Sequence, residues 1–403
     1  MRTEKKLPNI SDVARAAGVS TATVSHTLNG TRTVSEHSRE LVMKAIRELG
    51  YTPNAFARSF RTGKKNIIGF VVPDISNQFF ARLIETVESS ISAEGFHLII
   101  ANTQENKERE LQHLRYLTSG VVDGILLAST MESYSEFSAV LPASFPTVLA
   151  DRKVDAAPFS SVTVSAYQSV YRSVASLIEQ GQRRIGFITG LSRLSTSRER
   201  LAAYRQAMSD FAIPIEDGFI QHGDSMERSA WNSTRELLKQ RCTAIVASNG
   251  LMGTDVYHCL RECGMQIGRD VELVCFSDFD SPLLESSPVR LVAQPVDELG
   301  KMAGEEILRR IKDRAAEQKQ ILLSSIYLGV LSRHRNLLCA CTASNCPSPR
   351  RMKRDAGWNP FCIFYPSATA GFMSAEIAVC ASSPPRGTRR PARRTRSSGL
   401  STS

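Results

Sequence analysis

The stretch ISDVARAAGVSTATVSHTLN, residues 10–29, decides how this chain is read. Asn9 or Ser11 can cap a helix running through Asp12 to Ala17, and Gly18 supplies the backbone freedom to end it. Val19 leads to Ser20, a second N-cap, and the helix it opens stops at Asn29-Gly30. Val13, Ala14, Ala17, Val19, Val24 and Leu28 then form a seam, with small residues at 14 and 17 that let two helices cross closely. Two short helices joined by a tight, glycine-containing turn form a helix-turn-helix pattern.

The charge distribution agrees. The chain of 403 residues carries a net charge of +10, yet residues 1–65 hold 12 Lys/Arg against 5 Asp/Glu and residues 336–403 hold 10 against 2, so the span between is mildly acidic. A basic head on an acidic body suits contact with a phosphate backbone at the head alone, where neutralised phosphates release counterions. A third helix is predicted from Ser35, with Val42, Ile46 and Leu49 on one face, Gly50 closing it, and Glu40 and Lys44 paired on the wet side.

At this length and spacing, residues 10–29 resemble the opening signature of the LacI/GalR family of bacterial repressors. The resemblance implies that Thr21, Ala22 and His26 face base edges in the major groove, that Thr23 and Ser25 touch phosphates, and that Asn29 belongs to the same DNA-contacting helix. It further implies that YTPNAFARSF, residues 51–60, is a hinge helix that folds on DNA, with Arg58 as a phosphate contact and an apolar wedge in the central minor-groove step. Leucine is usual at the wedge, whereas this chain has Phe60. His26 stands where relatives often carry arginine.

From Asn66 onward, apolar runs (IIGFVV, HLIIAN, GILLAS, TVLAD, RIGFITG, AIVASN, VELVCF) alternate with amphipathic stretches of helical length. Continuous apolar strands between helices predict parallel sheets covered on both faces. The expected architecture is an all-α helix-turn-helix head (1–50), a hinge and linker (51–65), and a two-lobed α/β core that resembles the family's periplasmic-binding-protein-like domain. The N-lobe is predicted at 66–161 plus 294–330, and the C-lobe at 162–293. Ligands bind outside the carboxyl ends of strands in such sheets, which selects Asp74 and the loop to Phe80, Asp151, Arg152, the loop 190–200, Asn249, Ser277 and Asp278. The family resemblance implies that Phe79 and Phe80 pack against the effector, that Arg200 grips it, and that Asp278 or Ser277 hydrogen-bonds it. Phe79 and Phe80 read equally well as core residues at a helix start, and Asp151 and Arg152 as a loop cap and its ion pair.

Residues 66–330 contain no nucleophile elbow, phosphate loop or metal-spaced His/Cys/Asp set, so an enzyme is not expected, nor a cofactor. The alternative to a regulator is a small-molecule-binding protein that does not read DNA. Cys242, Cys259, Cys263 and Cys275 fall in helix- or strand-like segments and read as buried hydrophobes. The absence of a secretory signal or a bilayer-spanning apolar run predicts a cytoplasmic protein. Residues 331–403, rich in Arg, Pro and Ser towards the end, read as a disordered tail, either of altered reading frame or an unselected extension, and Cys339, Cys341 and Cys346 lack zinc-site spacing. The expected partners are palindromic operator DNA, a second copy of the chain, and a sugar, sugar acid or purine effector. The division of labour in the head predicts that His26→Ala relaxes specificity at one base pair per half-site, whereas Arg58→Ala weakens all sites alike. Binding-site selection with each variant distinguishes the two, and uniform loss from both contradicts the assignment.

Overall fold

The computed structural model describes residues 8–30, 32–51, 65–224, 228–276 and 288–330. The expected hinge residues Arg58 and Phe60, the candidates Ser277 and Asp278, and the tail from residue 331 lie outside them, as does the side chain of Asn29.

The head has three helices: α1 (Ile10–Ala17), α2 (Thr21–Asn29) and α3 (Glu36–Leu49). Asn9, not Ser11, caps α1; its Oδ1 accepts from the backbone of Ser11 and Asp12, while Asp12 returns a bond to Asn9 N at 3.0 Å. This reciprocal box satisfies amides that the first turn leaves without helical partners. Val13, Ala14, Ala17, Val24, Val42 and Ala45 are buried together, with Val19, Leu28 and Ile46 packed against them. On α3 the apolar face differs from expectation. Ala45 takes the buried place assigned to Leu49, which is exposed, and Lys44 faces Glu48 rather than Glu40. Leu49 lies in the last turn, beyond the reach of the two short helices.

The body contains two six-stranded sheets. The first is built from β1 (Ile67–Val72), β2 (His97–Asn102), β3 (Gly124–Leu127), β4 (Thr147–Asp151) and β5 (Ser160–Ser165), with β11 (Gln320–Ser324) at its edge, all parallel. The second holds β6 (Ile185–Thr189), β7 (Ile220–His222), β8 (Ala244–Ala247), β9 (Glu272–Phe276), β10 (Arg290–Ala293) and β12 (Ile326–Val330). Only the β10–β12 pair is antiparallel. Two lobe assignments are therefore corrected. The first sheet keeps the chain to Ser165 rather than 161, and 326–330 joins the second lobe. The run SSVTVS carries hydroxyls on alternate positions, so it did not read as an apolar strand, although its Val162 and Val164 face the core.

The alternation of each strand fills a core on both faces. Ile68, Phe70 and Val72 of β1 pack into one cluster with α4 (Gln78–Ser92) and α10 (Val296–Lys312), while Val71 joins a second cluster with Leu114 and Leu117. In the second lobe, α6 (Tyr167–Glu179) and α7 (Ser195–Asp210) cover one face of the sheet. The other face carries α8 (Trp231–Lys239) and α9 (Gly250–Glu262). Burying an aliphatic side chain in such a cluster stabilises by about 1.5–3 kcal/mol. Cys242, Cys259 and Cys275 are buried and free, whereas Cys263, at the end of α9, is exposed, contrary to its expected burial. Among the described residues no helix is long and apolar enough to cross a membrane.

The α4–α10 contact rests on two glycines of α10. A Cβ on Gly300 would sit 2.7 Å from Thr86 Cβ, and one on Gly304 2.7 Å from Ser90 Oγ. Gly300→Val is expected to destabilise the body by about 1–3 kcal/mol through overpacking, read as a lower urea midpoint at unchanged slope.

Candidate functional site

Two surfaces carry the functional candidates. In the head, Ser20 caps α2: its Oγ accepts from Thr23 N at 3.0 Å and shares a 2.9 Å bond with Thr23 Oγ1. Thr23 is thus bound into the cap, and its backbone carbonyl accepts from Thr27 Oγ1 at 2.9 Å. Thr21 and Ala22, at the start of α2, are exposed, while Thr23, Ser25 and His26 are half-buried. A helix start with exposed small side chains can approach base edges closely, and its amide groups favour phosphate.

The second surface is a cleft of about 570 Å³, solvent included, between the carboxyl ends of the two sheets. Its walls bring together Asp74, Phe79, Phe80, Asp151, Arg152, Arg200 and Asn249, with Asn77 of the loop to Phe80, all read from sequence, and add Glu105 and Gln294. Asp151 ends β4 in the left-handed region (φ 67°), which an aspartate tolerates better than most residues. That turn places Arg152 inward. Its guanidinium is clamped by Glu105, with Nη2 donating to Oε1 at 2.5 Å and Nη1 to Oε2 at 3.0 Å, and Nη1 also reaches Ser129 O at 3.2 Å. Glu105 stands in a left-handed pair with Gln104 (φ 53° and 52°) in the loop after β2. Arg152 also lies 5.7 Å from the Phe80 ring centre.

Arg200, on the buried side of α7, donates to Ser248 O at 2.5 Å and lies 3.9 Å from the centre of the Phe276 ring. Among the described residues it has no carboxylate clamp of its own. Burial pushes its pKa down to about 10, with Asp151 and Glu199 offsetting this in part and Arg152 adding repulsion. Burial likewise raises the Asp151 carboxyl, against the pull of Arg152 and Arg200. For Arg152 burial opposes the charge, yet Glu105, Asp151 and Glu110 together hold the pKa above its ordinary value. The two guanidiniums therefore differ: one is clamped by a carboxylate, and the other, among the described residues, is only partly offset by Asp151 and Glu199.

Some candidates have structural duties as well. Phe80 is a core residue that also lines the cleft, and Phe79 meets it edge-on at 5.1 Å. Asn249 Oδ1 caps α9 by accepting from Met252 N at 2.8 Å, and Asn77 caps α4. Asp74 accepts from Ser76 N and Oγ, at 2.9 and 2.7 Å. Glu105 was missed although it follows the end of β2, where the strand-end rule applies as it does to β4. Gln294 carries no motif, since it lies where the chain crosses back between sheets. Among the described residues, the buried Arg152 Nε, Arg200 Nε and Gln294 Nε2 have no hydrogen-bond acceptor, and all three residues line the cleft.

Comparison with known proteins places the two surfaces in one family. Residues 9–54 match the family described as bacterial regulatory proteins, lacI family, and residues 65–329 match periplasmic binding proteins and sugar binding domain of LacI family. The chain belongs to the LacI family. LacI-family relatives include the HTH-type transcriptional repressor PurR of Photobacterium profundum, 32% identical over 78% of this chain and 95% of the relative. The ribose operon repressor of Escherichia coli is 32% identical over 80% of this chain and 98% of its own length. A crystal structure described as a putative ribose operon repressor from Burkholderia thailandensis superposes with a TM-score of 0.60 at 28% identity, covering 66% of this chain and 99% of that one. This LacI-family member is accordingly a DNA-binding transcriptional repressor with a ligand-responsive domain, not an enzyme.

The unequal compensation of the two arginines predicts unequal roles. Arg152→Met strands Glu105 and is expected to destabilise the body by about 3–5 kcal/mol. Arg200→Met loses a single bond to a backbone carbonyl, about 1 kcal/mol. Urea unfolding of the two variants measures the contrast, and equal losses contradict it.

Proposed function

We propose that the cleft binds a neutral sugar, and that this ligand alters the affinity of a dimeric repressor for a palindromic operator controlling genes of sugar use. The observation that carries the reading is the set of three buried donors without an acceptor among the described residues, Arg152 Nε, Arg200 Nε and Gln294 Nε2, in a cleft also lined by the carboxylates Asp74 and Asp151. Donors and acceptors lining the same cleft match vicinal hydroxyls, each of which both donates and accepts. Net charge argues in the same direction. Glu105 pairs with Arg152, and Asp151 and Glu199 partly offset Arg200, so a sugar acid's carboxylate meets no wholly unmatched cation. A purine needs an open stacking face. Arg200 already lies over Phe276, Arg152 over Phe80, and Phe79 is turned edge-on to Phe80.

Relatives named for ribose and for purine regulation occur at the same identity, so chemistry and not likeness separates the two effectors. In the head, Thr21, Ala22 and His26 read bases, Thr23, Ser25 and Asn29 set register, and Arg58 and Phe60 form the hinge contact. Two copies are needed because one head meets too few phosphates for tight binding, while paired heads match a two-fold operator. Such a repressor acts in the cytoplasm, where its operator is.

The test is thermal unfolding of the full chain with ribose, other neutral sugars, sugar acids and purine bases, followed by operator binding with any ligand that responds. A neutral sugar at one hundred times its Kd is expected to stabilise by about 2.7 kcal/mol and to shift operator affinity. Stabilisation by a purine alone overturns the sugar reading.

A further inference from the structure

Beneath the cleft lies a carboxyl that touches no ligand-facing surface. Glu110, in the first turn of α5 (Lys107–Tyr116), is fully buried. Its Oε1 accepts from Ser129 Oγ at 2.5 Å and its Oε2 from Thr130 N at 2.7 Å. Ser129 Oγ in turn accepts from Met131 N at 3.0 Å. The carbonyls of the same two loop residues point the other way, to the arginines. Ser129 O accepts from Arg152 Nη1 at 3.2 Å, and Thr130 O from Arg193 Nε at 2.9 Å. Arg193 belongs to the second lobe and also donates to Glu105 O at 2.8 Å, so it spans the cleft's rim to the loop whose carboxylate clamps Arg152.

We propose that Glu110 is a positioning residue: its charged carboxylate fixes the 129–131 loop that seats Arg152 and Arg193, and effector affinity therefore depends on that charge. The inference rests on the cleft being the effector site. The bonding supports the dependence on charge. A carboxylate is acceptor-only and meets two donors here. A protonated carboxyl must place its proton on Ser129 Oγ, since Thr130 N cannot accept. The Ser129 hydroxyl proton then loses the carboxylate acceptor it has in the charged form, which is unfavourable at a buried position. Protonation therefore loosens the loop that holds both arginines. Burial pushes the Glu110 pKa up to about 7, with Ser129, Thr130 and Arg152 pulling it down and Glu105 pushing it up. Arg152 and Glu105 are the charged groups that act on it, with Arg193 held beyond Thr130. Both charge states are thus populated near neutral pH.

The test measures ribose affinity by calorimetry on the full chain between about pH 6 and pH 8, for wild type and Glu110→Gln. Hydrogen exchange at the Thr130 and Met131 amides is followed without ligand. Wild-type affinity should rise several-fold towards pH 8, and Glu110→Gln should bind weakly with no such rise. The two amides should be more protected at pH 8 in wild type than in the variant, after correction for intrinsic exchange. Parallel pH profiles in both proteins, or equal protection, overturn the proposal. If Glu110→Gln fails to fold, Ser129→Ala serves instead, since losing one donor should move the wild-type midpoint upward, and an unmoved midpoint overturns the proposal. If wild type ignores ribose at every pH, the sugar reading fails for ribose, and the exchange comparison alone decides the role of Glu110.

Discussion

A guanidinium buried in a cleft wall is costly unless it is paired, and the pairing of Arg152 with Glu105 governs the arrangement around it. Both side chains are almost wholly buried. Removing either partner leaves an isolated charge at a penalty of several kcal/mol. To satisfy the pair, the chain must bring the loops after β2 and β4 to one point, although β3 and β1 lie between those strands in the sheet. It does so through left-handed backbone at Gln104, Glu105 and Asp151, positions that cost about 1–3 kcal/mol each where the surroundings impose them. Loop strain of this kind, held by a buried ion pair, fixes the N-lobe half of the cleft before any ligand arrives. Arg200 on the opposite lobe is held by weaker means, a carbonyl and an aromatic face, which leaves it free to meet a ligand.

The lobes are tied at both sides of the cleft. On one side the chain crosses three times, after β5, between β10 and α10, and between β11 and β12. There Ser165 Oγ donates to Glu199 at 2.6 Å, and Ser325 N to Ser165 O at 3.0 Å. On the other side Arg193 reaches the carbonyls of Thr130 and Glu105, Arg198 meets Glu132 at 2.6 Å, and Lys153 N donates to Ser195 Oγ at 2.9 Å. The crossings are covalent and persist in every state. The rim contacts are ordinary hydrogen bonds and partly exposed ion pairs, each worth about 1 kcal/mol or less. Opening therefore breaks the rim and bends the crossings, and a ligand that binds both walls favours the closed arrangement by its differential affinity.

What the sequence revealed follows from how local each signal is. The head was legible almost residue by residue because caps and glycine stops act within four positions: Ser20 and Gly18 lie where they were read. Alternating apolar strands revealed two covered sheets, and the strand-end rule found Asp151, Arg152 and Asn249. The face of α3 was misread by one position because burial there depends on which neighbours reach it, not on period alone. The edges of the lobes were misread for a related reason. The edge partner of the hydroxyl-bearing SSVTVS lies more than 150 residues away and that of the last strand more than 30, both beyond any local pattern. Glu110 was beyond reading for the same cause, since only the tertiary structure supplies its partners Ser129 and Thr130, whereas Glu105 lay within reach of the strand-end rule and Arg193 within the loop 190–200.

The strand that links these features is β1. At its start, Lys65 N and Asn66 N donate to Asp123 Oδ2, at 3.0 and 2.6 Å, and Lys65 Nζ reaches Val122 O, so the point where the linker joins the body is fixed to the sheet. Six residues on, the same strand runs into Pro73 and Asp74 at the cleft. Strands rise about 3.3 Å per residue, so linker and cleft are separated by roughly 20 Å of backbone, buried among neighbours on both faces. An element so held cannot stretch or bend locally. It moves with its lobe, and a rotation of that lobe about the three crossings carries the linker's origin with it. A ligand at the cleft and DNA at the head can thus bias one movement without a conformational change inside either lobe, which is the physical content of linkage between two sites.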